Sequence, residues 1–178
     1  MGQIQEFEKE KLVVGIIYHD LDVYDEAIKI LTDTFGPVDF ESERFSFSKE
    51  YSVYYDGELG GEGQRVIISF EKTVDPATQA KIKKFTNDIE AKFSRRINLD
   101  PGLMNRGRFV LASTKNCGFR IALSDGIFTE LTLFYARGRW NKLPWTYRDY
   151  QSERVQKFLM KVRRRYLQQR KEEMENEK

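Results

Sequence analysis

The octapeptide KLVVGIIY (11–18) constrains the fold more than any other stretch. It is a continuous apolar run rich in β-branched residues, the pattern of a strand covered on both faces rather than one with a wet side. A chain that contains it needs a layer above that strand and a layer below it. Asp22 can cap a helix whose apolar positions Val23, Ala27, Ile30, Leu31 and Phe35 keep the 3.6-residue spacing. Gly36 and Pro37 stop it, one by accepting a left-handed cap and the other because proline cannot continue a helix. VDFESERFSFS (38–48) alternates, but its parity changes between Phe40 and Phe45, which predicts a bulge or a break. After the glycine-rich connection GELGGEG (57–63), RVIISFE (65–71) reads as another strand. Asp75-Pro76 starts a second helix, whose stripe is Ile82, Phe85, Ile89 and Phe93. RINLD (96–100) is a short strand, and Pro101-Gly102 is read as a turn. In order this is β-α-β-β-α-β, the ferredoxin-like sequence of elements.

Three further strands follow: RFVLAST (108–114), FRIAL (119–123) and IFTELTLFYAR (127–137). Short connections predict an antiparallel meander. A three-residue loop at Ser124-Asp125-Gly126, with Gly126 left-handed, sets Leu123 against Ile127, Ile121 against Thr129 and Phe119 against Leu131. Phe119, Ile121, Leu123, Ile127, Leu131 and Leu133 then form the buried face. A two-residue turn would set Ile121 against Glu130 and scramble both faces. The three-residue register leaves Arg120 opposite Glu130 on the other face, beside Ala112, Thr114 and Thr132. That pair is either a cross-strand contact contributing ~0.2–1 kcal/mol or the polar floor of a pocket. LPWTYRDY (143–150) crosses from the sheet to a last helix capped by Ser152, with Val155, Phe158, Leu159, Val162 and Tyr166 as its stripe. Trp145 is read as largely buried, closing the end of the core. The expected class is α+β: a ferredoxin-like order, then the meander, then a C-terminal helix. It is read as a single domain over 1–178, with 1–9 and 172–178 as flexible ends.

Several functions are excluded on composition. No apolar run approaches the ~20 residues of a membrane span, and MGQIQEFEKEK has no signal-peptide hydrophobic region. Cys117 is the one cysteine, so no intrachain disulfide forms, and a cytoplasmic setting is expected. With His19 the one histidine, neither a metal site nor a Cys/His catalytic pair is expected, and no cofactor is assigned. GELGGEG lacks the order of a phosphate-binding loop. Net charge is +2, from 30 basic against 28 acidic residues, yet the last helix is locally basic: Arg154, Lys157, Lys161, Arg163, Arg164, Arg165, Arg170 and Lys171. Such a helix is either a solvated outer face or a nucleic-acid footprint.

The runs FSFSKEYSVYYDGELG (45–60), ISFEKTVDP (68–76), INLDPG (97–102), VLASTK (110–115), DGIFTELTLFY (125–135) and LPWTYRDY (143–150) resemble the domain-of-unknown-function family 4416. The resemblance runs from Leu12 to about Tyr166 and implies a small prokaryotic protein with no assigned activity. In the family's pattern a histidine often precedes the arginine matching Arg120, and an acid follows the lysine matching Lys115. Here those places hold Phe119 and Asn116, so no mechanism needing either group carries over.

Among the polar and aromatic members of these motifs, Arg120, Lys115, Glu130, Asp100, Tyr55 and Tyr147 are the candidate ligand-binding residues, with Tyr54 and Trp145 beside them in the sequence. Aromatics combined with an arginine, a lysine and two carboxylates suit a phosphorylated or nucleotide-like ligand. Two functions stand at this point. One is a small-molecule-binding protein for an anionic or phosphorylated ligand, with enzymatic action on it left open. The other is a nucleic-acid or protein-interaction module using the basic C-terminal helix. Clustering of the motif residues around one concavity would favour the first.

Overall fold

The computed structural model describes residues 2–176. Its strands are β1 (Glu10–Tyr18), β2 (Val38–Glu41), β3 (Phe45–Ser46), β4 (Gln64–Val74), β5 (Ile97–Met104), β6 (Arg108–Ser113), β7 (Ile121–Ala122), β8 (Phe128–Ala136) and β9 (Arg139–Lys142). Its helices are α1 (Leu21–Phe35), the single turns α2 (Phe47–Glu50) and α3 (Asp56–Leu59), α4 (Gln79–Lys92) and α5 (Glu153–Asn176). The fold is α+β with one antiparallel sheet and a C-terminal helix. Of the ends expected to be flexible, Met1 and residues 177–178 lie outside the described residues, while α5 continues to Asn176.

β1 behaves as its sequence requires. It lies inside the sheet between β4 and β5, and all nine of its residues are buried. On one face Leu12, Val14, Ile16 and Tyr18 pack with Val23, Ala27 and Leu31 of α1 and with Ile82 and Ile89 of α4. On the other, Val13, Ile67, Phe109 and Leu133 pack under Val155, Phe158, Leu159 and Val162 of α5. The helices thus cover both faces because the strand has two apolar faces to cover. The cap of α1 is Asp20, not Asp22; its carboxylate accepts from the Asp22 and Val23 amides.

The sheet runs β2-β4-β1-β5-β6-β8-β7, with β3 also on β4 and β9 also on β8. This nine-stranded order differs from the ferredoxin-like sheet expected, because β5 is not an edge but passes its free side to β6. Pro101-Gly102 is not a turn either: both residues continue β5, opposite Val14 and Val13. The parity break in residues 38–48 is real and separates β2 from β3.

The meander is also corrected. β8, not β7, lies beside β6, and β7 sits outside as a two-residue edge. The loop at Ser124-Asp125-Gly126 and the pairing of Ile121 with Thr129 are as expected, with Gly126 at φ 74°. The buried face is not. Phe109 pairs with Leu133 but Val110 pairs with Leu131, so Thr132 is an extra residue in β8. A bulge of this kind reverses the side-chain parity along the strand. Leu133 therefore points to the α5 side together with Glu130, and Leu131 does not. Ile121 is 70% exposed, with Phe119 and Leu123 exposed beside it. Arg120, on the reverse side, is turned in.

Candidate functional site

A cavity of about 340 Å³ opens where β5 and β6 separate. The two strands pair only through Gly102–Leu111, Leu103–Val110 and Met104–Phe109. Ile97 to Pro101 of β5 have no β6 partner, and Pro101, with no N–H to donate, falls where none is needed. Strand backbone left bare there must find other partners. α4 provides them: Glu90 accepts from the Leu99 amide at 2.7 Å, and Lys83 Nζ donates to the Leu99 carbonyl at 2.8 Å. This explains a lysine and a glutamate that are both buried and line the cavity wall.

The floor is built on a missing side chain. At Gly15, in the centre of β1, a Cβ would come within 2.6 Å of Arg65 Nη2 and 2.7 Å of the Tyr150 hydroxyl. Both groups occupy the space that glycine leaves. Arg65 is 2% exposed and forms ion pairs with Asp100 at 3.3 Å and Asp149 at 3.0 Å. Asn98 donates to the same Asp100 oxygen at 2.8 Å. Burial raises the Asp149 carboxyl above the usual range, with Arg65 acting against it. The two carboxylates keep the Arg65 guanidinium charged despite its burial.

The wall beside the floor is Arg120 on Glu130. Nε donates to Glu130 at 2.7 Å, Nη1 to the Lys115 carbonyl at 2.7 Å and Nη2 to the Tyr147 hydroxyl at 2.8 Å. Three of the five guanidinium N–H groups are thereby used, leaving one on each terminal nitrogen. Glu130 is 1% exposed, and burial raises its carboxyl more than Arg120 lowers it. Burial likewise raises the Tyr147 and Tyr55 phenols. At the lip Lys115 is exposed, with Nζ 5.6 Å from the Tyr54 ring centre.

All six sequence candidates line this one cavity: Arg120, Lys115, Glu130, Asp100, Tyr55 and Tyr147. The segment LPWTYRDY straps it down. Trp145 is half-buried rather than core; it stacks on Phe119 at 5.0 Å, and its Nε1 donates to the Leu131 carbonyl at 2.8 Å. Thr146 ties the strap to Thr132 through a 2.6 Å hydrogen bond to its carbonyl. Tyr147, Asp149 and Tyr150 follow into the cavity. His19 is not among the lining residues; it faces the Glu62 carbonyl at 3.0 Å.

Sequence reasoning missed Arg65, Asp149, Tyr150, Lys83 and Glu90. The one signal for Arg65 was a charge beginning an apolar strand beside a glycine in the neighbouring apolar run. Among the described residues no group of three or more His, Cys, Asp or Glu is placed to hold a metal ion. No helix of the described residues is long and apolar enough to cross a membrane.

The basicity of α5 is largely answered locally. Arg154 pairs with Glu43 and Glu50, Lys157 with Glu153, Arg165 with Glu172, Arg170 with Glu8 and Glu173, and Lys171 with Glu175. Lys161 and Arg163 lie over the rings of Phe40 and Tyr135.

No curated protein and no solved structure matches the chain. A family model described as Domain of unknown function (DUF4416) matches residues 8–166, spanning β1 through most of α5 and every residue of the cavity. The chain belongs to that family.

Proposed function

We propose that this protein binds a small anionic ligand, such as a phosphorylated one, in the cavity between β5 and β6. One observation carries the reading: residues from five separated motifs converge on a single concavity lined by aromatics, three arginines and several buried carboxylates. Such convergence of polar groups with shifted carboxyls marks binding and catalytic sites more often than structural corners. Charge placement supports an anion at the lip. Arg65, Lys83, Arg95 and Arg120 each have a carboxylate partner, whereas Lys115 forms no ion pair among the described residues. The free N–H groups of Arg120 Nη1 and Nη2 offer it a second anchor, held in position by Glu130. If the ligand is also a substrate, Glu130 and Asp149 are the groups to move a proton, since burial brings their carboxyls closer to neutral pH. A ferredoxin-like origin for the first half is supported by the partial order β2-β4-β1-β5, in which every neighbouring pair is antiparallel.

The test is a thermal-shift screen against nucleotides, sugar phosphates and short RNAs, followed by titration of the best binder into Arg120→Lys. A ligand at 100 times its Kd stabilises the folded state by ~2.7 kcal/mol, a shift easily read. A small anion should raise Tm, and Arg120→Lys should bind it at least tenfold more weakly, because lysine keeps the charge without the planar fork. Stabilisation by RNA alone would overturn the proposal in favour of α5 as an interaction surface.

A further inference from the structure

We infer that the ligand of this cavity is polyhydroxylated as well as anionic, a sugar phosphate in chemical class, with its hydroxyls on the floor and its phosphate at the Lys115 lip. The inference rests on the proposed anion-binding function and names the ligand class for that same site. It begins with the polar atoms that the fold leaves unserved. Among the described residues, eight buried side-chain polar atoms have no hydrogen-bond partner in the protein, and four belong to residues lining this cavity: Glu130 Oε1, Asp149 Oδ2, Tyr150 Oη and Arg65 Nε. A buried polar group without a partner costs about 1–3 kcal/mol, so a concentration of them around one concavity points to a ligand that completes them.

Their chemistry specifies what completes them. Glu130 Oε1 is an acceptor on a side chain 1% exposed, and its other oxygen already holds Arg120. Thr132 Oγ1 is near enough to lower the Glu130 carboxyl, but it too lacks hydrogen-bond geometry. Asp149 Oδ2 approaches Arg65 Nη2 at 3.0 Å as an ion pair without the alignment of a hydrogen bond. Tyr150 is 1% exposed, and its hydroxyl, lodged over Gly15, is unpartnered as both donor and acceptor. Two acceptors, one donor and one group of both kinds match hydroxyls, which give and receive at the same atom. A second cation fits less well, because each floor carboxylate already faces an arginine. A second anion would meet Asp100, Asp149 and Glu130 together. The phosphate therefore belongs at the lip, with Lys115 and the free Arg120 N–H groups.

The experiment compares ribose 5-phosphate with pentyl phosphate, which has the same carbon number and phosphate charge but no hydroxyls. Isothermal titration of the wild-type chain should give at least tenfold tighter binding of ribose 5-phosphate. Tyr150→Phe should melt no lower than wild type, since its hydroxyl bonds nothing in the protein. It should nevertheless lose about 3- to 10-fold in ribose 5-phosphate affinity, one hydrogen bond's share, and leave pentyl phosphate unchanged. Equal binding of the two phosphates, or a Tyr150→Phe variant that binds ribose 5-phosphate as tightly as wild type, overturns the inference while leaving an anion site intact. If neither phosphate nor inorganic phosphate binds, the anion site falls as well.

Discussion

Gly15→Ala adds one methyl group to the middle of β1 and tests the architecture of the cavity floor. The new Cβ would lie 2.6 Å from Arg65 Nη2, 2.7 Å from the Tyr150 hydroxyl and 2.9 Å from Arg65 Cζ. Those separations are below any van der Waals contact, so one of the two groups must move. Arg65 is held by Asp100 and Asp149, and Tyr150 packs on the Phe109 ring with centroids 5.5 Å apart. Overpacking alone costs ~1–3 kcal/mol, and separating a buried charge from its partner costs about 3–5 kcal/mol. Replacing a strand glycine returns roughly 0.5–1 kcal/mol of conformational entropy. A partial shift of Arg65 places the net loss at about 2–4 kcal/mol. For a chain of this size that lowers Tm by roughly 4–16 °C, measured by circular dichroism melts. Gly57→Ala is the control, because its Cβ would meet nothing within 4 Å, and its Tm should stay at or slightly above wild type. A Gly15→Ala variant melting within about 2 °C of wild type would refute the claim that Arg65 and Tyr150 depend on that missing side chain.

Two other perturbations follow from the same geometry. Trp145→Ala removes a ring stacked on Phe119 and one hydrogen bond from a half-buried position, so urea unfolding should show a loss of about 1.5–3 kcal/mol, below the ~3–5 kcal/mol of a full core truncation; a loss above 4 kcal/mol, or none, would contradict the strap reading. The folded state holds the Glu130 proton more tightly than the unfolded chain does, because burial raises that carboxyl. Its contribution is present below the unfolded value of ~4.3 and is lost as pH rises through the raised one. Wild-type Tm should therefore fall relative to Glu130→Gln as pH increases across that window, and parallel curves would count against it.

Local pattern was enough for the elements whose partners are dictated by their own residues. KLVVGIIY could only be an interior strand, and the stripes of α1, α4 and α5 each mark one buried face. The left-handed Gly126 turn and the break between Phe40 and Phe45 were legible in the same way, whereas the six candidate residues came from the motifs of the family resemblance, and only the fold placed them along one cavity. Nothing local announced the bulge at Thr132, since an extra residue in a strand shows itself only against its neighbour's register. That single insertion moved Leu131 off the face of Leu133 and turned Arg120 inward while Ile121 faced out. Strand order was equally hidden: β7 joins the outer edge of β8 because the residues from Thr114 to Arg120 carry the chain past β6, and chain order does not encode such a detour. Arg65, Asp149 and Tyr150 were invisible for a related reason. Arg65 meets the other two across sequence separations of 84 and 85 positions, in space that exists only because Gly15 lies opposite. The chain by itself determined that β1 had to be interior and which faces of α1, α4 and α5 had to cover it, because those apolar patterns are local; the separation of β5 from β6 decided which of the polar residues would share a cavity.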